Sequence, residues 1–189
     1  YFLRNMYMPL VRIVSDTTLH GMLIDKPYLE ELMQTYQGKI AEIEKELRSI
    51  DIVEDFNDIQ IEERVDALIE DIQEEIDYAG LSDRVINNRE EKISRLEAGE
   101  PTNNKERKLF EEINFGSVPQ MTQLLYLSPD GFEFPIVEKS KTGNPSTAES
   151  ALLKLQPQDD TGFIKALLKL RASEKLYSTY VKGVYENNL

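Results

Sequence analysis

The stretch from Thr161 to Leu189, TGFIKALLKLRASEKLYSTYVKGVYENNL, is the one whose reading decides the fold. At 100° per residue it forms an amphipathic helix with two stripes. Phe163, Ala166, Leu167, Leu170, Tyr177, Val181, Val184 and Tyr185 fall in one sector and are expected to face a core. Arg171, Lys175, Ser178 and Lys182, spaced four, three and four apart, line a neighbouring sector. A cationic row on a rigid rod suits a polyanion with charges repeated along a line, such as a nucleic-acid backbone. A solvated basic face is the other reading of the same spacing.

Working outward, 189 residues suit one domain, or one domain with an appendage. The hydrophobic share of 40% is enough for a core, and a mean hydropathy of −0.46 indicates a water-facing chain. No apolar run nears the ~18 residues of a membrane span, and no signal-peptide pattern opens the chain. The absence of cysteine excludes disulfides and thiolate metal sites and fits a reducing compartment, so a cytoplasmic location is expected. His20 is the one histidine, which excludes histidine-pair metal sites and leaves a capping or surface role as its ordinary reading. Tyr1 stands inside an amphipathic pattern, so the chain is expected to be cut from something longer.

The net charge of −13 at first argues against a nucleic-acid partner, but its distribution removes the objection. Residues 51–112 hold 20 Asp/Glu and 8 Lys/Arg, a balance of −12, which leaves −1 for the rest of the chain. Such segregation marks a separate module.

From the N-terminus, Leu3, Met6, Tyr7, Leu10, Val11 and Val14 recur at helical spacing, with Pro9 expected to bend the helix. His20-Gly21 is expected to close it, and Met22 to Ile24 to run extended. Asp25 can cap a second helix with Pro27 in its first turn. Leu29, Leu32, Met33, Tyr36, Ile40, Ile43, Leu47 and Ile50 give that helix one narrow apolar seam, suited to pairing with another long helix. In the acidic segment, Ile61, Val65, Leu68, Ile72 and Ile76 mark one helix ended by Ala79-Gly80. Ser82 starts a second, with Val85, Ile86, Ile93 and Leu96 on one side, closed by Gly99 and Pro101. Asn103 and Glu106 form a capping box for a third, bearing Leu109 and Phe110. The acidic residues at helical spacing opposite an apolar side read as a solvated face, not as metal ligands. Further on come a short helix from Val118 to Tyr126 and a turn at Asp130-Gly131 before the alternating Phe132, Phe134 and Ile136, where a small β-hairpin is expected. Ser146 to Glu149 reads as a capping box for a helix through Leu155. The fold class is mainly α.

Four motifs, in order, resemble the thumb region of family A DNA polymerases, the bacterial polymerase I type. Arg171-Ala-Ser-Glu-Lys175-Leu-Tyr-Ser178-Thr179-Tyr180 looks like that family's arginine, lysine four residues on, and Leu-x-Ser-Thr-Tyr on the long helix leading into the palm. Lys139-Ser-Lys141-Thr142-Gly143-Asn-Pro145-Ser146-Thr147 is similar to its Lys/Thr/Gly-rich loop. Ile113-Asn114-Phe-Gly-Ser117-Val-Pro-Gln120-Met resembles its Phe-Asn-x-x-Ser-x-x-Gln-Leu at the thumb tip, and Met8-Pro9-Leu10 through Gly21 to Asp25 resembles its leading segment. Two departures stand out: Tyr177 takes the place of a second lysine, and Glu174 puts an acid beside the basic row.

The resemblance implies long antiparallel thumb helices with short tip helices. Residues 1–26 would lead into the polymerase region, 27–50 and 113–189 would form the thumb, and 51–112 would be an inserted acidic helical hairpin. It further implies that Arg171, Lys175, Ser178, Thr179 and Lys182 grip a primer–template duplex, with Asn114, Ser117, Lys141, Thr142, Ser146 and Thr147 adding hydrogen bonds from the tip. Such contacts hold a duplex in register and carry little sequence information. Catalytic Mg²⁺ would sit on palm carboxylates of the parent protein, since the chain has no His-Asp-Glu stretch, no fingers-helix pattern and no phosphate-cradling Gly-x-x-x-x-Gly-Lys loop. The insertion suits a phage-like or divergent member, in which 51–112 either docks a processivity or accessory protein or passively lengthens the thumb. An acidic helical adaptor that binds protein and not DNA is the competing class, since it would show the same apolar seams.

Overall fold

The computed structural model describes residues 6–20, 24–78 and 80–187, and the architecture there is mainly helical. Gly21 to Leu23, Leu3 and Ala79, together with the side chain of His20, lie outside the described residues, and with them the expected helix end and extended piece. The chain divides into two compact units, one of Tyr1–Gln37 with Leu176–Leu189 and one of Gly38–Lys175.

In the first unit, α1 spans Met8–His20 and contains Pro9, with Met6 and Tyr7 π-helical immediately before it. Its large apolar side chains stay open: Leu10, Val11, Ile13 and Val14 are 55–63% exposed. α2 (Lys26–Arg48) starts as its sequence requires. The Tyr28 N–H donates to Asp25 Oδ1 at 3.1 Å, satisfying one of the four open donors of a helix start. The final part of the chain runs antiparallel to the first half of α2. Gln37 Nε2 donates to the Tyr177 hydroxyl at 2.7 Å, and the Tyr185 hydroxyl donates to Glu30 Oε1 at 2.9 Å.

The second unit has two hydrophobic cores. Ile43 and Leu47 at the end of α2 meet Val53 and Phe56 at the start of α3 (Asp51–Tyr78). The same core takes Ile113 and Phe115, then Met121, Leu124 and Leu125 from α6 (Val118–Thr122) and the π-helical turn Gln123–Leu127. Leu152 and Leu155 of α7 (Glu149–Leu155) and Phe163, Ile164, Leu167 and Leu170 of α8 (Phe163–Lys175) complete it. The centre is aromatic: the Phe163 ring lies 4.6 Å from Phe132 and 6.3 Å from Phe115. The second core joins Val65 and Ile72 of α3 to Leu96 of α4 (Asp83–Glu97), with Leu109 and Phe110 packed against it. A single 28-residue helix, α3, thus serves both cores. α4 closes at Gly99, whose φ of +72° is costly for a side chain bearing Cβ.

Three local expectations are corrected. No β-hairpin forms around Asp130-Gly131; among the described residues the only strand-like pairing is an isolated bridge between Lys139 and Pro145. The N–H groups of Phe132 and Phe134 donate instead to the carbonyls of Leu124 and Leu125, both at 2.8 Å, because the end of the preceding helical turn leaves those acceptors open. Gly131 permits this approach, since a Cβ there would lie 2.2 Å from the Leu124 carbonyl oxygen. The Ser146 capping box does not form either. α7 begins at Glu149 with Ala148 as its N-cap, because the Ser146 backbone is already engaged with Glu138 and Tyr126. The third helix of the acidic segment is a single turn, α5 (Asn104–Arg107), followed by a 3₁₀ turn Lys108–Phe110. Its cap is as expected: Asn103 Oδ1 accepts from the N–H groups of Lys105 and Glu106.

Candidate nucleic-acid interface

α8 begins at a well-built cap, which sets where its side chains point. Asp159 Oδ1 accepts from the Thr161 N–H at 3.0 Å and hydroxyl at 2.6 Å, and Asp159 Oδ2 accepts from the Ile164 N–H at 2.6 Å. With Phe163, Ile164, Leu167 and Leu170 buried, Arg171 is left half-buried at the helix flank and Lys175 exposed at its end. Arg171 Nη1 donates to the Thr147 carbonyl. Burial pushes the Arg171 guanidinium below its ordinary value, and the neighbouring Glu174 carboxylate opposes that. Glu174 is itself raised, first by burial and then by the charge of Glu44.

Beyond Lys175 the helix changes kind. Leu176–Lys182 is π-helical, with bonds reaching one residue further than in an α-helix, and α9 (Gly183–Asn187) follows. The row drawn at 100° per residue assumes an α-helix, which the structure shows as far as Lys175, whereas Ser178 and Lys182 stand on the π-helical stretch. Gly183 fits this tighter spot, where a Cβ would sit 3.1 Å from the Ser178 carbonyl oxygen. Ser178, Thr179 and Lys182 are exposed and belong to the first unit, where Lys182 Nζ lies 3.7 Å from Glu186 Oε1.

The tip residues fall into two groups. Asn114 Oδ1 accepts from the Gly116 N–H at 2.8 Å, and the Asn114 N–H donates to Gln120 Oε1, so Asn114 shapes the turn that leads to Ser117 at the start of α6. Asn114 is exposed and Ser117 partly so. The loop from Lys139 to Asn144 is a small closed turn: the Ser140 N–H donates to the Asn144 carbonyl at 2.8 Å, and Gly143 takes a φ of +88°. Lys141 and Thr142 project from it, exposed. Ser146 and Thr147 are at 8% and 6% exposure, beneath the surface. The structure brings Arg171 to Thr147, then, and puts Lys141 and Thr142 at the tip of the loop that Ser146 and Thr147 anchor.

Sequence reading passed over Tyr126 and Glu138. The Tyr126 hydroxyl donates to the Ser146 carbonyl at 2.7 Å. Glu138 accepts from Lys154 Nζ at 3.1 Å and from the Ser150 hydroxyl, which hold its carboxyl below the usual range. These partners lie 12 to 20 residues away in sequence, and no local spacing signals them. Among the described residues no three His, Cys, Asp or Glu side chains are grouped to hold a metal ion, and no helix is long and apolar enough to cross a membrane.

No family model matches the chain, and no solved structure matches it. Two curated relatives do. The chain is 37% identical over 98 residues, half of its length, to DNA polymerase I of Pseudomonas aeruginosa. It is 26% identical over 181 residues, 94% of its length, to the DNA polymerase of Bacillus phage SP01. It spans 10% and 17% of those two proteins. Both relatives are DNA polymerases by name, in line with the resemblance that the motifs suggest.

Proposed function

We propose that this chain is the noncatalytic thumb of a DNA-directed DNA polymerase, gripping a primer–template duplex while synthesis proceeds elsewhere in the parent protein. The observation that carries this reading is the similarity to two DNA polymerases, one of them along nearly the whole chain. Physical support comes from exposed Lys175 and from Lys141 and Thr142, cationic and hydroxyl groups of the kind that bind phosphates without reading bases. Asn114 and Ser117 supply further hydrogen bonds in the second unit, and Ser178, Thr179 and Lys182 do so in the first. Mg²⁺, which such synthesis requires, would be held by palm carboxylates of the parent and not by these residues. The parent would work in the cytoplasm of a bacterium or of a phage-infected cell.

For the acidic segment 51–112 we favour passive lengthening over docking of a processivity or accessory protein. Val85, at 37%, is the only large apolar side chain exposed there among the described residues, whereas a docking face would offer a contiguous apolar patch.

The test is the salt dependence of duplex affinity in the intact protein. Lys175→Ala and Lys141→Ala should each weaken binding without altering sequence preference and lower the slope of log affinity against log salt by about one unit. Lys165→Ala and Lys169→Ala, on other sectors of α8, should do much less. Equal effects at all four positions would replace a docked duplex with diffuse attraction.

A further inference from the structure

Two consecutive backbone carbonyls at the base of the Lys139–Asn144 loop are each taken by a side chain from a different element. Tyr126, at the end of the π-helical turn after α6, donates its hydroxyl to the Ser146 carbonyl at 2.7 Å. Arg171, on α8, donates to the Thr147 carbonyl. The chain between them is otherwise closed on itself: the Ser146 N–H donates to the Glu138 carbonyl at 2.9 Å, and the Ser146 hydroxyl accepts from the Ala148 N–H at 3.3 Å. Glu138 is in turn tied to Ser150 and Lys154 of α7. Ser146 and Thr147 are buried by this arrangement, while Lys141 and Thr142 stay outside.

We infer that Arg171 and Tyr126 are positioning residues that pin the loop base, so that Lys141 and Thr142 meet the duplex from a fixed platform. This rests on the duplex-gripping role proposed above and reassigns Arg171 from direct phosphate contact to support. A half-buried guanidinium already engaged with a carbonyl has little freedom to follow a phosphate. A flexible loop would have to be ordered on binding, whereas a pinned one is already in place. Burial, with the charge of Glu138 adding to it, pushes the Tyr126 hydroxyl up, which keeps it a donor well above neutral pH.

The experiment compares Tyr126→Phe, Arg171→Ala and Lys141→Ala in the intact protein by two measurements. One is amide hydrogen exchange at Ser140, Gly143 and Ser146, and the other is duplex affinity across a salt series. Tyr126→Phe removes one hydroxyl and keeps the ring, so the fold is retained. Tyr126→Phe and Arg171→Ala should each speed loop exchange about two- to tenfold, as loss of one hydrogen bond implies, and weaken binding with the salt slope unchanged. Lys141→Ala should lower the slope by about one unit with exchange unchanged. A lowered slope and unchanged exchange for Arg171→Ala would restore it to direct phosphate contact. Unchanged exchange for Tyr126→Phe would overturn the pinned base. Should Lys141→Ala and Lys175→Ala both leave affinity intact, the duplex-gripping role fails, and the exchange rates alone then decide whether the loop base is pinned.

Discussion

At the scale of single residues, Glu106 shows most clearly how a short helical turn can be held firmly. Its carboxylate is 4% exposed and accepts from the N–H of Thr102 at 2.8 Å, the Thr102 hydroxyl at 2.9 Å and Asn103 Nδ2 at 2.7 Å, with Lys92 Nζ at 3.5 Å. The backbone bond from Thr102 is the largest influence, and together these hold the carboxyl at about 2 despite its burial, against an ordinary 4.5. A depressed carboxyl stabilises the fold above its unfolded value and loses that contribution as pH falls through its folded one. Glu106→Gln should therefore cost about 2 kcal/mol at neutral pH, the scale of a charge-assisted hydrogen bond. The gap between the two proteins should narrow as pH drops from about 4.5 to about 2, and urea unfolding at a series of pH values measures it. A gap that stays constant with pH would mean the charge contributes nothing.

At the scale of elements, α8 illustrates what starts a helix and what alters one. Asp159 satisfies the N–H groups of Thr161 and Ile164 from one carboxylate, and its negative charge lies at the positive end of the helix dipole. Asp159→Ala should lower unfolding stability by about 1–2 kcal/mol, while Asp159→Asn should recover part of it by keeping one acceptor; thermal denaturation of the three proteins makes the comparison. The far end behaves differently. Tyr177, Val181, Val184 and Tyr185 carry the apolar pattern forward, yet the backbone is π-helical through Lys182 before α9 begins, and of these four only Val181 is fully buried. A change from i−4 to i−5 bonding alters the register of a face without altering the residues that compose it.

At the scale of the molecule, the acidic segment is less separate than its charge implies. Val53 and Phe56 lie within residues 51–112 but belong to the first core, and Asn57 Oδ1 accepts the buried Ile113 N–H at 2.8 Å. Removing 51–112 should therefore cost more than about 3 kcal/mol, the scale of emptying one large aromatic site. Removing only 61–110, with a short Gly/Ser join, takes out the second core and leaves the first intact, so a cooperative urea transition should survive. Loss of cooperativity in the shorter deletion as well would show that the two cores unfold as one.

The caps at Asp25 and Asn103, the glycine stop after α4 and the core face of α8 were all legible in the sequence, because each depends on residues within about one helical turn of each other. The polymerase similarity was legible too, since motif order survives without coordinates. What tertiary structure decided lies at longer range. Phe132 and Phe134 bond back to a helix end instead of to a partner strand, Ser146 is drawn out of its capping role, and Arg171 is turned onto Thr147. In each case a backbone carbonyl or N–H left open elsewhere in the chain captured the group. A buried polar group must find a partner, and no local pattern reveals which partner will be near.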